Sequence, residues 1–267
     1  MRIKNKHLLF LICKLGYWRN KRNLTALNVV DNGQFYIYGV DRFHIASQSF
    51  NWYLTKELLE QRVREVSCRY YLPAKGNTII DIGAGLGEEC CIYASLVGPT
   101  GTVYSIEANP LVYKALQQAI ALNAFRNIKL FNVAINSSRE KVMIDDSPDS
   151  YLSSSLNNLN KGNVYEVDGF PLEDFCHTNG INVIDLLKVN IEGAERFLNT
   201  AFNHPELIIH NVAISCHDFR YDKEGNEFFK TKQLVTDFLR ANGYETWAQE
   251  TGTRYIDDWV YGKKSTT

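Results

Sequence analysis

Gly83, Gly85 and Gly87 occupy alternate positions directly after the run Thr78-Ile79-Ile80-Asp81-Ile82. A short β-branched run of this kind reads as a buried strand. Glycines at its end permit a tight turn and let the backbone approach a ligand with no Cβ in the way. Helical spacing resumes from Glu88 to Val97. The loop therefore joins a strand to a helix, which is where open α/β sheets bind nucleotide-like ligands. A dinucleotide fingerprint requires its third glycine three positions after the second. Here Glu88 stands in that place, and the third glycine comes one residue early. A carboxylate at a helix N-terminus repels pyrophosphate, so the loop suits a ligand with no phosphate and a positive centre. S-adenosylmethionine, with its adenine, ribose, sulfonium and amino-acid tail, is such a ligand.

A second acid extends the pattern. Thr102-Val103-Tyr104-Ser105-Ile106 reads as the next strand and ends on Glu107, 20 residues after Gly87. An acid at that distance accepts hydrogen bonds from ribose hydroxyls. Asn109-Pro110 opens a helix with proline at an early position, and Leu111, Ala115, Ala119 and Leu122 share one face of it. Asn132, Val133 and Ala134 close the third strand, where adenine would rest. Asp81 either meets the cofactor or fixes the turn by bonding local amides. A further strand, Ile184-Asp185-Leu186-Leu187-Lys188-Val189, runs into Asn190, Glu192, Gly193 and Glu195. As the fourth strand it lies beside the first, so its tip faces the glycine loop across the crevice. Lys188 within this apolar strand needs a partner, in a structural ion pair or in the site itself.

The elements that position these residues alternate. Strands are expected near 78–82, 102–107, 128–134, 183–189 and 207–216. Helices are expected near 88–97, 110–123, 171–178, 193–202 and 231–241. Such alternation implies a parallel, doubly wound sheet. Tyr244 to Gln249 and Thr253 to Tyr261 read as a terminal hairpin turning at Gly252. Upstream, Phe35 to Ile45 reads as a hairpin with a Gly/Asp turn, and Thr55 caps a helix with Leu59, Val63, Val66 and Tyr70 on one face. The stretch 137–170 breaks the alternation and is rich in Ser, Asn and Asp. It is read as an insertion over the C-terminal edge of the sheet, with strands at Lys141 to Ile144 and Val164 to Val167. The chain thus divides into a basic extension (1–28), a hairpin and helix (29–77) and the main domain (78–267). Tyr165, Phe170 and Phe175 fit an apolar seam.

Composition excludes several classes. The 267 residues are 45% hydrophobic and 12% aromatic, enough for a large core. A net charge of −1 argues against general nucleic-acid binding. Residues 1–22 nevertheless hold seven basic side chains and no acid, and the remainder carries 22 basic against 30 acidic. The apolar run Leu8 to Cys13 is far too short to span a bilayer. The basic start is then a membrane-surface helix drawn to anionic lipid, or an extension that packs Leu8, Leu9, Phe10 and Leu11 on the domain. The six cysteines have no zinc spacing and read as buried reduced thiols of a cytoplasmic protein. No metal is expected.

The segments "DIGAGLG", "IEANP" and "LLKVNIEGAE", in this order and spacing, resemble the FkbM family of S-adenosylmethionine-dependent methyltransferases. The resemblance covers Phe35 to Tyr261. It implies a class I, Rossmann-like α/β fold, with a seven-stranded, mostly parallel sheet. It also implies O-methylation of a hydroxyl on a sugar, glycolipid or similar small acceptor. The chain departs from the family pattern at Asn190, where aspartate is usual, and at Gly85, where asparagine is common. Asparagine keeps a hydrogen bond but loses charge and basicity.

The expected cofactor set is Asp81, Gly83, Ala84, Gly85, Gly87, Glu107, Ala108, Asn132, Val133 and Asn190. Methyl transfer to a hydroxyl also needs a proton acceptor. His217, just after the 207–216 strand, is favoured because an unperturbed imidazole titrates near neutrality. Glu192, Asn190 and Asp218 lie close by in the pattern. Two readings compete with this one. A nucleotide-dependent oxidoreductase is disfavoured by Glu88, and a non-catalytic cofactor-binding or membrane-associated module rests on Asn190.

Overall fold

The structure, a computed structural model, describes residues 6–30, 34–49, 53–147, 150–156 and 163–265. Residues 1–5 of the basic start, and 148–149 and 157–162 of the insertion, lie outside the described residues. The chain opens with helix α1 (Lys6–Arg19) and three antiparallel strands, β1 (Leu24–Val30), β2 (Phe35–Val40) and β3 (Phe43–Ser47). The expected hairpin is β2–β3. The basic start forms a helix, α1, and the chain then enters β1, which no turn signal or alternation announces. The small sheet lies between two helices. Cys13 and Tyr17 of α1 pack on Leu24, Tyr38 and Val40. On the other side, Phe35, Ile37 and Ala46 pack on residues of the 110–123 helix.

Helix α2 (Lys56–Glu65) is capped by Thr55, whose side chain accepts from the Leu58 N–H. It buries Leu59 and Val63. The helix ends before Tyr70, which instead stacks on Trp247. The core follows as β4 (Thr78–Ile82), α3 (Glu88–Val97), β5 (Thr102–Ile106), α4 (Pro110–Asn123) and β6 (Ile128–Phe131). In α4 the buried face is Val112, Ala115, Leu116, Ala119 and Ile120, while Leu122 is exposed. The register is rotated from the expected face because the helix is covered on two sides, by the sheet and by β3.

After β6 the chain forms the short strand β7 (Ala134–Ile135), and the insertion then forms β8 (Glu140–Ser147), β9 (Ser150–Ser155) and β10 (Val164–Phe170). These make a second sheet in the order β7-β10-β8-β9. The chain re-enters the core through α5 (Leu172–Thr178) and β11 (Val183–Val189). A 3-10 turn at Ala194–Leu198, α6 (Asn199–Phe202) and β12 (Ile208–Ser215) follow. Next come α7 (Asp218–Glu224), a 3-10 turn at Glu227–Phe229 and α8 (Lys232–Ala241). The segment 219–229 is thus largely helical. The chain ends with β13 (Tyr244–Ala248), α9 (Arg254–Asp257) and β14 (Trp259–Lys264). Only β14 runs antiparallel in the main sheet, and Arg254 to Asp257 is a helical turn rather than part of that strand.

The seven-stranded sheet has the order β13-β14-β12-β11-β4-β5-β6. This is the class I, Rossmann-like methyltransferase arrangement: a parallel sheet with one antiparallel strand next to its edge. Residues of α5, α6 and α8 cover one face, with Ile80, Ile82, Leu187 and Val189 in that cluster. Residues of α2 and α3 cover the other, with Ile79 and Leu186. Burial on both faces explains why the strands read as continuous apolar runs. The chain starts in the middle at β4, winds outward to β6, and returns to the opposite side of β4 through β11. That reversal opens a crevice at the C-terminal tips of β4 and β11.

Candidate active site

The pairing of β4 with β11 sets Lys188 opposite Asp81 and Val189 opposite Ile82. Both charged residues therefore point to the face covered by α3. Lys188 Nζ lies 2.9 Å from Asp81 Oδ1 and 2.8 Å from Glu89 Oε2, and donates to the Gly83 carbonyl at 3.0 Å. The ammonium thus has three acceptors, which meets the cost of burying it. Burial pushes the Asp81 carboxyl above its ordinary range against the pull of Lys188. Burial also opposes the charge on Glu89, but Lys188 and the Ser67 and Tyr93 hydroxyls outweigh it. Glu89 is thereby held ionised below the usual carboxylate range. Asp81 is fully buried and faces Lys188, away from solvent. It holds the loop from beneath.

Gly83, Gly85 and Gly87 all adopt positive φ, at 74°, 55° and 88°. A Cβ on Gly83 would lie 1.9 Å from the Asn190 carbonyl oxygen, so the tips of β4 and β11 meet at a distance only glycine allows. The Gly83 and Ala84 N–H groups donate to the Ile106 carbonyl, and the Asn190 N–H to the Ile82 carbonyl. Glu107 accepts from the Gly85 N–H at 2.9 Å through Oε2 and from the Asn109 N–H at 2.8 Å through Oε1. Burial pushes its carboxyl up to about 7 even though those amides pull the other way. Asn132 donates from Nδ2 to the Glu107 and Ala108 carbonyls, so it pins the end of β5 rather than walling the crevice. Gly87 caps α3 and packs on Leu116.

The crevice is a cleft of about 620 Å³. Gly83, Ala84, Gly85, Glu107, Ala108, Val133 and Asn190 wall it, as expected from the sequence. Ser47, Gln48, Ser49, Ile135, Ile144 and Leu156 join them from β3 and the insertion. Apolar walls at Ile106, Val133, Ile135 and Ile144 suit a flat ring, and Glu107 lies where paired hydroxyls would bind. Glu88, Glu89 and Glu192 add carboxyl oxygens to the same wall, acceptors for an ammonium group. The residues therefore fit S-adenosylmethionine in size and in donor and acceptor chemistry.

A second cavity of about 390 Å³ adjoins the first, and both are walled by Glu88, Glu89, Asn190 and Glu192. Its remaining wall comes from Leu59, Arg62, Val63 and Val66 at α2, from Ser215 to His217 at the end of β12, and from Phe219, Tyr255, Asp258 and Trp259. His217 is buried here between two carboxylates. Its Nδ1 lies 2.9 Å from Glu195 Oε1, and its Nε2 lies 3.5 Å from Glu192 Oε1. Glu195 also accepts from the Thr231 hydroxyl at 2.7 Å and from the Gly193 N–H at 2.8 Å. Burial alone would favour a neutral ring, but Glu195 and Glu192 outweigh it and hold the His217 pKa at about 10. His217 is thus an imidazolium at neutral pH. The near-neutral titration that favoured it as proton acceptor is removed by its two neighbours.

Glu192 also pairs with Arg220 at 2.8 Å and lies below the usual carboxylate range, because His217 and Arg220 overcome its burial. Asn190 is exposed where the cavities join. Asp218 Oδ2 accepts from the Thr231 and Lys232 N–H groups, so it caps α8. Among the described residues, no cluster of three or more His, Cys, Asp or Glu could hold a metal ion. All six cysteines are free and buried.

Sequence reasoning missed Glu88 and Glu89 as site residues. Burial pushes the Glu88 carboxyl up to about 7, with Arg62 opposing and Glu89 adding to the rise. Glu88 is therefore poised at neutrality between the two cavities. The available signal was the tandem of acids in the first turn after the glycine loop, read only as a barrier to phosphate. Glu195 stood in the quoted motif without a role. The walls from α2 and from Phe219 to Trp259 left no local signal at all.

The Methyltransferase FkbM domain matches residues 81–246. A 66-residue stretch is 30% identical to the protein-L-isoaspartate O-methyltransferase of Methanocella arvoryzae, over 25% of this chain and 35% of that protein. The chain thus spans about a third of the length of that curated relative. Among solved structures, the O-methyltransferase TomG from Streptomyces achromogenes, in complex with its cofactor, is 12% identical with a TM-score of 0.49, covering 79% of each chain. Aeropyrum pernix fibrillarin, with natively bound S-adenosyl-L-methionine, is 14% identical with a TM-score of 0.42, covering 90% of this chain and 98% of that one. Those likenesses are too distant to bear on ligand or acceptor. The domain match spans more than half of the sequence and contains both the glycine loop and the Lys188–Glu195 segment, so this chain belongs to the FkbM methyltransferase domain family.

Proposed function

We propose that this chain is an S-adenosylmethionine-dependent O-methyltransferase, with the cofactor in the larger cleft and a hydroxylated acceptor in the smaller cavity. The observation that carries this reading is the junction: two cavities of ligand size that share Glu88, Glu89, Asn190 and Glu192. When bound, the cofactor supplies an electrophilic methyl group on a sulfonium. The chain's own task is to align the acceptor oxygen with that methyl and to take its proton. With both ligands in place, a carboxylate of the junction would take the hydroxyl proton as the acceptor oxygen gains the methyl group and the sulfonium leaves as a neutral thioether.

Glu88 is the best proton acceptor in the junction, since a carboxyl near 7 is half ionised at neutral pH and matched to the task. Glu192, held ionised by Arg220 and His217, is a weaker base and holds those two cations at the junction. Asn190 keeps a hydrogen-bonding side chain at the rim without competing for the proton. The smaller cavity combines aromatic faces at Phe219, Tyr255 and Trp259 with Arg62 and carboxylates. That lining suits a compact polyhydroxylated ring, of the kind a sugar or glycolipid head presents.

Calorimetric titration tests the cofactor half of this reading. Wild type should bind S-adenosylmethionine and its demethylated product saturably, and Glu107→Ala should weaken both by roughly tenfold or more, the worth of a charged hydrogen-bonding pair. Absence of binding at millimolar ligand, or stronger binding of a nicotinamide dinucleotide, would defeat it. Transfer of labelled methyl to a panel of hydroxylated acceptors tests the other half. Cofactor binding without turnover on any acceptor would favour the non-catalytic module.

A further inference from the structure

Helix α1 carries two apolar faces, and among the described residues only one is buried. At 3.6 residues per turn, Leu9, Cys13 and Tyr17 share a face that is buried on the small N-terminal sheet. That face is fixed in place, since the Tyr17 hydroxyl donates to the Leu54 carbonyl at 2.9 Å. Diametrically opposite, Leu11, Leu15 and Trp18 are 57%, 62% and 73% exposed. Leu8, 50% exposed, continues the stripe by one turn. Together they fill an arc of about 80°. Lys14 flanks one edge of this arc and Arg19 the other. Lys14, Arg19 and Lys21 form no ion pair among the described residues, whereas Arg22 is engaged by Asp41 and Glu57. Trp18, Arg19 and Lys21 also border a shallow depression of about 740 Å³ at the end of the helix.

We propose that the outer face of α1 docks on the surface of an anionic lipid bilayer. The apolar arc enters the boundary between headgroups and acyl chains, and Lys14, Arg19 and Lys21 lie against lipid phosphates. Charge selects this occupant. Residues 1–22 carry seven basic side chains and no acid, in a chain whose net charge is −1. A cationic rim beside an exposed tryptophan suits a membrane interface, where indole rings and basic side chains partition together. The same rim disfavours a second copy of this helix, which would bring like charges into register. With 14 residues α1 is about 21 Å long if straight, and none of the described helices is long and apolar enough to cross a membrane. The helix therefore lies along the surface. Its inner face packs on Tyr38, whose hydroxyl donates to the carbonyl of Ser49. Ser49 walls the larger cleft. Docking would thus hold the cleft close to lipid-borne acceptors.

Flotation of the full chain with phosphatidylcholine vesicles, with and without about 30 mol % phosphatidylglycerol, tests the proposal. Wild type should float with the anionic vesicles and not with the neutral ones. Leu11→Glu/Leu15→Glu should lower the bound fraction at least tenfold, and Lys14→Glu severalfold. The two leucines are exposed, so the melting temperature of the double variant should match wild type and separate lost docking from lost folding. As a second reading, the Trp18 contribution to fluorescence, taken as wild type minus Trp18→Phe, should shift to the blue on anionic vesicles. Equal binding to both vesicle types, binding unaffected by the leucine substitutions, or no binding at low salt would overturn the proposal. So would a concentration-dependent dimer in light scattering that the leucine substitutions abolish, which would give this face to a second copy instead. None of these readouts depends on methyl transfer, so failure here leaves the proposed activity standing.

Discussion

The two cavities that meet at Glu88 and Asn190 are built in opposite ways. The larger is backbone architecture. Its floor is the glycine loop and the tips of β4, β5 and β11, set by hydrogen bonds between neighbouring strands and by the absence of a Cβ at Gly83. The smaller is side-chain architecture, gathered from α2, the segment after β12 and the end of the chain. Yet each rests on the same device, a buried cation between two carboxylates: Lys188 with Asp81 and Glu89, and His217 with Glu192 and Glu195. Lys188 acts locally, because its partners lie in the adjacent strand and at the start of α3. His217 acts at a distance, tying the β11 tip to the segment that leads into α7. A site common to many acceptors can be coded once, in backbone. A site for one acceptor needs side chains that can change without disturbing the first.

The largest effect should come from removing the cation under the cleft. Lys188→Met leaves Asp81 and Glu89 without their counter-charge, and loss of one partner from a buried pair costs about 3–5 kcal/mol. Chemical denaturation should show that loss, and Asp81→Asn added to Lys188→Met should restore part of it. No recovery in the double variant would show that the two residues are not a unit. Next in size, Glu88→Gln should lower kcat by about 10²-fold, the lower range for general-base catalysis, while cofactor affinity changes little. In wild type the rate should rise with pH to a plateau above about 7, and the variant should lose that ascent. An unchanged profile would return the proton to another group.

Gly83→Ala and Gly225→Ala separate backbone strain from close approach. Both positions have positive φ, at 74° and 67°, but only Gly83 has the Asn190 carbonyl against it, while nothing lies near Gly225. The Gly83 variant should lose about 1–3 kcal/mol more than the Gly225 variant and bind cofactor poorly. Equal losses would mean that the β4 and β11 tips can part freely.

A last test turns on the second cation. His217 remains protonated in the fold to about pH 10, against 6.5 for a free imidazole. Its stabilisation is therefore whole below pH 6.5 and is lost as pH climbs toward 10. Melting temperatures of wild type should fall through that window. His217→Gln should start lower and fall less, so that the two curves converge at high pH. Parallel curves would show that the ring is neutral in the fold.

Much of the cleft was legible because it depends on contiguous residues. The strand Thr78 to Ile82, the glycines, and Glu107 at its fixed distance follow from local periodicity and turn chemistry. The structure places Gly83, Ala84, Gly85 and Glu107 on the wall together. Asn132 and Asp81 were misread in detail, since the choice between facing a ligand and facing a neighbouring backbone depends on packing. The second cavity was almost wholly hidden. Val63, Phe219 and Trp259 are ordinary apolar residues in sequence, and nothing local brings them within reach of His217. His217 itself was found by its place after a strand, but its charge was not, because that depends on Glu195 and Glu192 around it. The stretch that forms α1 was legible as basic and apolar, either a membrane-surface helix or an extension packed on the domain, but not as a helix with one buried and one exposed apolar face. Its two opposite apolar faces blur the single stripe that periodicity detects.

By itself the sequence determined the alternating sheet, the glycine loop with its acid partner, and the membership that those motifs carry. These follow from steric and hydrogen-bonding rules that act over a few residues. Only the tertiary structure decided which charges meet. Lys188 opposite Asp81, His217 between two glutamates, and Glu88 raised to about 7 at the junction of two cavities all arise from burial and from partners that the chain supplies from far away. Electrostatic energies are set by distance and solvent exclusion, and neither is fixed until the chain has folded.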